Sequence, residues 1–255
     1  MDKKDIKTLI IPDVHGRDFW RKPVEKVLNE TDAKIVFLGD YVDPYPHEFV
    51  DKEKGFDYQK YAIQVLEEII ELKKKYMDRI ILLLGNHDCS YAIDTRICEC
   101  RYDYKNSSKL NHLFKDNRGL FQFAYAEDVH GKHVIYSHAG ISKDFAYCVF
   151  GKDAVNSENV VGLFNNAWEV EDNNVLDYMG MYDRYRGFGG GAFASIVWTD
   201  ANEWANGKEG FGDFQIFGHT QLMKDAVITD TWADLDVRTA FYMDNEGKIH
   251  GYLED

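Results

Sequence analysis

The chain has 255 residues, of which 45% are apolar and 15% are aromatic. This composition is typical of a globular protein and excludes a disordered one, and the length is ordinary for one α/β domain. The formal net charge of −14 argues against a surface for nucleic acid or anionic membrane, because phosphate contacts need Lys and Arg. A phosphorylated substrate is compatible with this charge, since bound divalent metals reverse the sign of a carboxylate-rich site.

The N-terminal segment is polar, and no apolar run reaches the ~20 residues that a membrane span needs. We therefore expect a soluble, cytoplasmic protein without a membrane partner. The four cysteines form no Cys-x-x-Cys pair, which predicts reduced thiols with no role in metal binding. They are Cys89, Cys98, Cys100 and Cys148.

The first third of the chain alternates between strand and helix patterns, an order that is typical of a parallel sheet. Asp18 is the expected N-cap of the first helix, and Asp57 is expected to start the second. The predicted strands cover residues 7–11, 33–38 and 80–84, and the predicted helices cover residues 18–28 and 57–75.

The pattern is less regular after residue 90. Residues 120–126 and 132–136 predict a hairpin that turns near His130-Gly131. Further strands are expected at residues 195–198, 214–217, 226–229, 239–243 and 248–253, with a turn at 244–247. No repeat or linker divides the chain. We therefore expect a single domain over residues 1–255, with cap-like insertions near 91–118 and 142–185.

Side chains that commonly bind metals follow the predicted strands. In an open α/β sheet, ligands bind at the carboxyl ends of the strands. Each motif taken alone is also compatible with an ordinary turn, but their order and placement together indicate a binding site. Oxygen and imidazole donors without thiolate favour Mn, Fe or Zn, and we interpret Asp40 as a bridge between two ions. The candidate ligands are Asp13, His15, Asp40, Asn86, His138 and His219.

In these motifs the sequence resembles the calcineurin-like metallophosphoesterases. It is most similar to the branch of Ser/Thr phosphoprotein phosphatases and symmetrical diadenosine tetraphosphatases. The resemblance implies a four-layer αββα sandwich of two mixed β-sheets flanked by helices. The matching segments span most of the chain in the family's order: Asp13-Val14-His15-Gly16, Gly39-Asp40-Tyr41-Val42-Asp43, Gly85-Asn86-His87-Asp88, Ser137-His138-Ala139-Gly140, Val197-Trp198-Thr199-Asp200 and Gly218-His219-Thr220.

The resemblance also implies which residues hold each metal ion. Metal 1 would be held by Asp13, His15 and Asp40, and metal 2 by Asp40, Asn86, His138 and His219. Many relatives carry a further histidine ligand two residues after the position of His219. Gln221 stands there in this chain, which implies that water completes metal 1.

The two ions would activate water for in-line attack on phosphorus. His87 is the expected general acid for the leaving oxygen, and Asp43 is expected to orient His87 and to raise its pKa. The alternative for His87 is a structural role in a turn.

A phosphate site also needs a guanidinium group. Phosphoprotein phosphatases carry Arg-Gly directly after the motif that matches residues 39–43, whereas this chain has Pro44-Tyr45, and it has Asp88 where they carry Glu. Arg186, at the head of a glycine-rich loop, is the first candidate replacement and Arg17 is the second. For Arg186, a solvated loop charge is an equally good interpretation.

Three functions are compatible with these motifs. The first is a dinuclear phosphatase that acts on phosphomonoesters of a small molecule or a phosphoprotein. The second is a nucleotide phosphoanhydride hydrolase of the diadenosine tetraphosphatase kind. The third, a catalytically silent binding module, is disfavoured because all six predicted ligands are present. An aromatic cluster could stack a nucleotide base, although core packing is the simpler interpretation: Tyr178, Tyr182, Tyr185 and Phe188.

Overall fold

The computed structural model describes residues 6–49, 55–93, 101–182, 184–186 and 190–252. Its strands are β1 (Ile6–Ile11), β2 (Lys34–Phe37), β3 (Ile80–Leu83), β4 (Phe121–Gln122), β5 (Ala124–Val129), β6 (Lys132–Ser137), β7 (Phe214–Phe217), β8 (Val227–Ile228), β9 (Trp232–Asp234), β10 (Phe241–Asp244) and β11 (Ile249–Gly251). Its α-helices are α1 (Arg21–Glu30), α2 (Tyr58–Lys75), α3 (Asn86–Ala92), α4 (Ser107–Asp116), α5 (Lys143–Phe150), α6 (Val160–Glu169), α7 (Asn173–Leu176) and α8 (Ala201–Ala205).

The strands form two mixed sheets. In the first sheet the order is β11-β10-β1-β2-β3-β4, with β1 to β4 parallel and β10 antiparallel to both of its neighbours. In the second sheet the order is β5-β6-β7-β9-β8, with β6, β7 and β9 parallel. Parallel neighbours end at the same edge of a sheet, so the segments that leave β1, β2 and β3 emerge side by side.

The layer order follows from the alternation of side chains along each strand. Leu9 of β1 packs in a core with Leu66 of α2, whereas Ile10 lies in a separate core with Tyr136 of β6. Ile135 of β6 faces the opposite way, into a core that contains residues of α5 and α6. The sheets therefore pack face to face with helices outside them, which confirms the predicted αββα sandwich.

The predicted strands at the site are confirmed within a residue or two. Asp57 caps α2, because its carboxylate accepts a hydrogen bond from the amide of Lys60 at 3.0 Å. The predicted cap of α1 is wrong: the helix begins at Arg21 with Trp20 at its cap, and Asp18 forms an i,i+3 ion pair with Arg21 at 3.7 Å instead. The hairpin of β5 and β6 turns at His130-Gly131 as expected.

Three features of the second half differ from the predictions. Residues 120–126 are not one strand, because β4 pairs with β3 in the first sheet and β5 starts the second. Residues 195–198 form a buried turn, in which the amide of Trp198 donates to the carbonyl of Ser195 at 3.0 Å. A short apolar run looks the same in either structure, so periodicity could not separate them. Strand β9 was not predicted.

The cysteine prediction can be followed at two positions. Cys89 is buried and Cys148 is exposed, and neither forms a disulfide in the part of the chain that the structure describes; Cys98 and Cys100 lie outside the described residues. Among the described helices, none is both long enough and apolar enough to cross a membrane.

Candidate metal centre

All six predicted ligands lie at one edge of the two sheets. Asp13 follows β1, Asp40 follows β2, and Asn86 begins α3 just after β3. From the second sheet, His138 follows β6 and His219 follows β7. Each of the six side chains is at most 8% exposed. Polar groups are rarely buried in such number without partners or a bound ion.

The loops that carry these residues hold unusual backbone conformations. His15, Asp40 and His219 have φ angles of +43°, +51° and +69°, in the left-handed region that non-glycine residues seldom adopt. The loops are also bonded to each other, since the carbonyl of Asp40 accepts from the amides of Val14 and His15 at 3.1 and 2.7 Å. Strain of this kind persists where surrounding contacts determine the geometry, and it is common at functional sites.

Two glycines make room for the carboxylates. A Cβ atom at Gly85 would lie 2.1 Å from Oδ1 of Asp40, and one at Gly218 would lie 2.3 Å from Oδ1 of Asp13. Both distances are far shorter than van der Waals contact. The Gly-Asn-His-Asp and Gly-His-Thr motifs therefore need glycine because the carboxylates from neighbouring loops occupy the space of a side chain.

Backbone carbonyls orient two of the imidazoles. Nδ1 of His15 lies 2.7 Å from the carbonyl of Val42, and Nδ1 of His138 lies 2.8 Å from that of Leu38. These contacts fix the ring orientations and direct both Nε2 atoms at Oδ2 of Asp40, at 3.4 and 3.5 Å. Burial lowers the pKa of both histidines, which favours the neutral imidazole that binds metals.

A second set of donor atoms converges on His138. Its Nε2 lies 2.9 Å from Oδ1 of Asn86 and 3.1 Å from Nδ1 of His219. If Nδ1–H of His138 donates to the carbonyl of Leu38, then Nε2 carries a lone pair, which faces the lone pairs of Oδ1 of Asn86. A cation between them would relieve the repulsion. Burial also lowers the pKa of His219, which keeps its ring neutral.

The donor atoms form two groups that could hold a metal ion, and Asp40 belongs to both. One group contains His15, Asp40 and His87, and the other contains Asp40, His138 and His219. Asp13 lies beside these groups, where its Oδ1 accepts a hydrogen bond from the amide of His219 at 3.0 Å. These described donor atoms are therefore suited to metal binding.

His87 and Asp43 form a buried pair, with Nδ1 of His87 2.8 Å from Oδ2 of Asp43. The other carboxylate oxygen accepts a hydrogen bond from the hydroxyl of Tyr91. Burial raises the pKa of Asp43 to about 7 and lowers the pKa of His87 to about 3. The expectation that the pKa of His87 is raised is therefore wrong, because loss of water and the nearby Arg101 disfavour the imidazolium.

Both candidate arginines lie near the site but are engaged with carboxylates. Nε of Arg186 pairs with Asp200 at 3.0 Å, and its NH2 group donates to the hydroxyl of Thr220 at 2.8 Å. Arg17 makes a two-pronged contact with Glu48 at 2.7 and 3.1 Å. Arg186 is close enough to the metal ligands that its charge contributes to the lowered pKa of His219.

Two of the four rings in the aromatic cluster are exposed. Tyr178 and Tyr185 are 39% and 40% exposed, which excludes the core-packing interpretation for both. The ring of Tyr182 lies 6.1 Å from that of Trp198. Phe188 lies outside the described residues, as do Gly187 and Gly189 of the glycine-rich loop.

Two groups beside the site were not among the predicted site residues. Arg101 reaches His87 and Asp43 from the segment before α4, and no motif marks it. Asp234 and Asp236 are buried at the end of β9, and each has one carboxylate oxygen without a hydrogen-bond partner among the described residues. Burial raises the pKa of both carboxyls. Asp236 follows the end of β9, as the predicted ligands follow their strands, so a prediction of β9 would have indicated it.

Comparisons with known proteins agree with this arrangement. A family described as calcineurin-like phosphoesterase matches residues 6–223. A protein phosphatase 2A catalytic chain of Dictyostelium discoideum is 25% identical over 209 residues, 81% of this chain and 52% of that protein. The PP2A-like serine/threonine-protein phosphatase PPG1 of Saccharomyces cerevisiae is 26% identical over 201 residues, 76% of this chain and 42% of that protein. The chain thus spans about half the length of these curated relatives, or less.

A solved structure shows the same fold. The cold-active protein-tyrosine phosphatase of a psychrophilic Shewanella species superposes with a TM-score of 0.52, covering 97% of this chain and 80% of that one. The two sequences are 16% identical, so the likeness extends to the fold alone.

Proposed function

The chain belongs to the calcineurin-like phosphoesterase family, and we propose that it is a dinuclear metal-dependent phosphatase that hydrolyses phosphomonoesters. One observation carries this proposal: Nε2 of His15 and Nε2 of His138 approach Oδ2 of Asp40 at 3.4 and 3.5 Å. A carboxylate placed between two imidazoles in this way suits a bridge between two ions.

The proposed ligands divide between the two ions. Metal 1 would be held by Asp13, His15 and Asp40, and metal 2 by Asp40, Asn86, His138 and His219. Oxygen and nitrogen donors of this kind suit Mn, Fe or Zn. Once bound, the ions would lower the pKa of water and neutralise charge on the phosphoryl group.

Side chains around the ions would then protonate the leaving group. We assign the general acid to His87, whose Nδ1 is held by Asp43 at 2.8 Å. The opposite shifts in their pKa values favour the neutral form of both partners, so a proton is available within the pair. Arg186 would add positive charge at the second metal, from its position beside Thr220.

We also propose that residues 1–255 form one phosphoesterase domain whose segments near 91–118 and 142–185 cover the site. Tyr91 and Arg101 of the first segment bond to Asp43, and Tyr182 of the second contacts Trp198. The substrate would then be a phosphorylated small molecule, a nucleotide or a phosphoprotein that enters between these segments.

A nucleotide phosphoanhydride hydrolase is the second candidate. The exposed rings of Tyr178 and Tyr185 favour it, because Tyr185 lies in sequence next to Arg186 and an exposed aromatic ring can stack a base. A silent binding module is disfavoured, since loss of catalysis should appear as substituted ligands and all six are present.

The test combines metal analysis with hydrolysis of p-nitrophenyl phosphate and of diadenosine tetraphosphate in added Mn²⁺. About two metal ions per chain and metal-dependent turnover of p-nitrophenyl phosphate would support the phosphatase. Two ions with turnover of the dinucleotide alone would favour the second candidate. A protein that binds no metal after reconstitution would refute the assignment of the ligands.

A further inference from the structure

We propose that Arg101 binds the oxygens of the transferred phosphoryl group, and this inference rests on the proposed function. The starting point is the position of its guanidinium. One NH2 group of Arg101 lies 3.3 Å from Nε2 of His87, the ring nitrogen opposite the one that Asp43 holds. A leaving oxygen that takes a proton from this nitrogen would therefore meet Arg101 as well.

Three contacts fix the guanidinium in this place. Its Nε donates to the carbonyl of Asp43 at 2.9 Å, and its Cζ lies 3.7 Å from the centroid of the Tyr45 ring. Tyr45 in turn packs edge-on against the metal ligand His15, with ring centroids 5.2 Å apart. A guanidinium stacked on an aromatic face keeps its charge and retains donors in the ring plane for an anion.

The backbone of Arg101 is also constrained. Its φ angle is +80°, in the region where a non-glycine residue is held only by surrounding contacts. The hydroxyl of Tyr91 in α3 donates a hydrogen bond to the carboxylate of Asp43 and accepts one from the amide of Asp103. The segment that carries Arg101 is thus tied to the same carboxylate that orients His87.

Arg101 is distinguished from Arg17 and Arg186 by its contact with the proposed general acid, because its NH2 group lies 3.3 Å from Nε2 of His87. Arg17 is bound to Glu48 through both ends of its fork, and Arg186 is paired with Asp200. The loop after β2 carries Tyr45, not arginine, and its ring supports a guanidinium that comes from the segment before α4.

The test compares Arg101→Ala and Arg101→Lys with a matched control, Arg118→Lys. Arg118 lies outside the candidate site, yet it also stacks on an aromatic ring, with Cζ 3.6 Å from the Trp168 centroid, and donates to a backbone carbonyl at 2.9 Å. The two lysine substitutions therefore remove the same kind of guanidinium stacking. They differ in position, because Arg101 lies beside His87 and Arg118 lies outside the candidate site.

Two quantities are measured on the Mn²⁺-loaded protein: kcat/KM for p-nitrophenyl phosphate, and the affinity for inorganic phosphate by calorimetry. Arg101→Ala should lower kcat/KM by about 10²–10³-fold, as loss of an oxyanion donor does. It should also weaken phosphate binding by about 10-fold or more with the metal content unchanged, since a lost charge-assisted hydrogen bond is worth about 1.5–3 kcal/mol. Arg101→Lys should recover part of both, and Arg118→Lys should match the wild type.

The two readouts separate this inference from the proposed function. If the wild type binds metal and phosphate but does not turn over, the proposed function fails while phosphate affinity still tests Arg101. Equal phosphate affinity in the wild type and Arg101→Ala would overturn the role of Arg101. A parallel loss of metal and phosphate in Arg101→Ala would also overturn it, because Arg101 would then support the fold of the site. Failure of the wild type to bind phosphate at all would refute both.

Discussion

Asp88→Ala should destabilise the protein by about 3–5 kcal/mol, because Asp88 joins two loops of the candidate site. Its side chain is fully buried. Oδ2 accepts from the amides of Asp40 and Gly85 at 2.7 and 2.8 Å, and Oδ1 accepts from the amide of Tyr41 at 3.0 Å. The alanine variant leaves three buried N–H groups without this acceptor, and each such group costs about 1–3 kcal/mol.

The expected loss lies near the lower end of the sum for three groups, because burial of the ionised Asp88 carboxylate is itself unfavourable. Burial raises the pKa of Asp88 to about 7, so its ionised form is disfavoured and the variant removes that cost. Asp88→Asn should lose less, about 1–2 kcal/mol, since an amide oxygen in the place of Oδ2 keeps two of the three bonds. Stability should therefore increase from Asp88→Ala to Asp88→Asn to the wild type, in step with the number of amides that the side chain at position 88 can accept.

The assay is urea unfolding followed by tryptophan fluorescence. The control is Asp172→Ala at the start of α7, where Oδ1 accepts two exposed hydrogen bonds at 3.0 Å, from the backbone amide and the side-chain amide of Asn174. Loss of this helix cap should cost about 1 kcal/mol. Because Asp88 fixes the amide of Asp40, its alanine variant should also retain less metal. If Asp88→Ala and Asp172→Ala unfold with the same free energy, the hydrogen-bond reasoning is refuted.

Three further predictions concern the site itself. Asp40→Asn should abolish metal-dependent hydrolysis and reduce bound metal, because both ions lose a shared anionic ligand; wild-type turnover in this variant would remove Asp40 from the bridging role. His87→Ala should keep both ions but slow substrates with poor leaving groups, and an equal loss on p-nitrophenyl phosphate would count against a general acid. The third concerns Asp43, whose pKa rises from 3.8 to about 7 on burial, so the folded state holds its proton more tightly than the unfolded state. In EDTA, Asp43→Asn should therefore gain stability relative to the wild type as the pH rises from about 4 to 7, by up to about 1.4 kcal/mol per pH unit. If the free energies of unfolding of the two proteins change with pH in parallel, the pKa of Asp43 is not raised in the folded state.

The central elements of this fold could be predicted from the sequence because they are specified locally. The apolar runs of β1, β2 and β3 have the length of buried strands, and the helix signals of α1 and α2 separate them. The residues after each strand then lie at a common edge by the geometry of a parallel sheet. This explains why six ligands scattered from Asp13 to His219 could be grouped before any distance was known.

Tertiary structure decided what depends on long-range contacts. Residues 195–198 form a turn and not a strand because hydrogen bonds to distant segments hold them in that shape. The amide of Ser195 donates to the carbonyl of Met181, and the carbonyl of Ile196 accepts from the amide of Ala139. The sign of the pKa shift at His87 follows from burial and the charge of Arg101, which together outweigh the carboxylate of Asp13 and which spacing along the chain does not reveal. Arg101 reaches the site because packing on Tyr45 and the bond to Asp43 bring its guanidinium there. The sequence alone determines which donors lie at the edge of the sheets, and the folded chain determines their charge states and which guanidinium accompanies them.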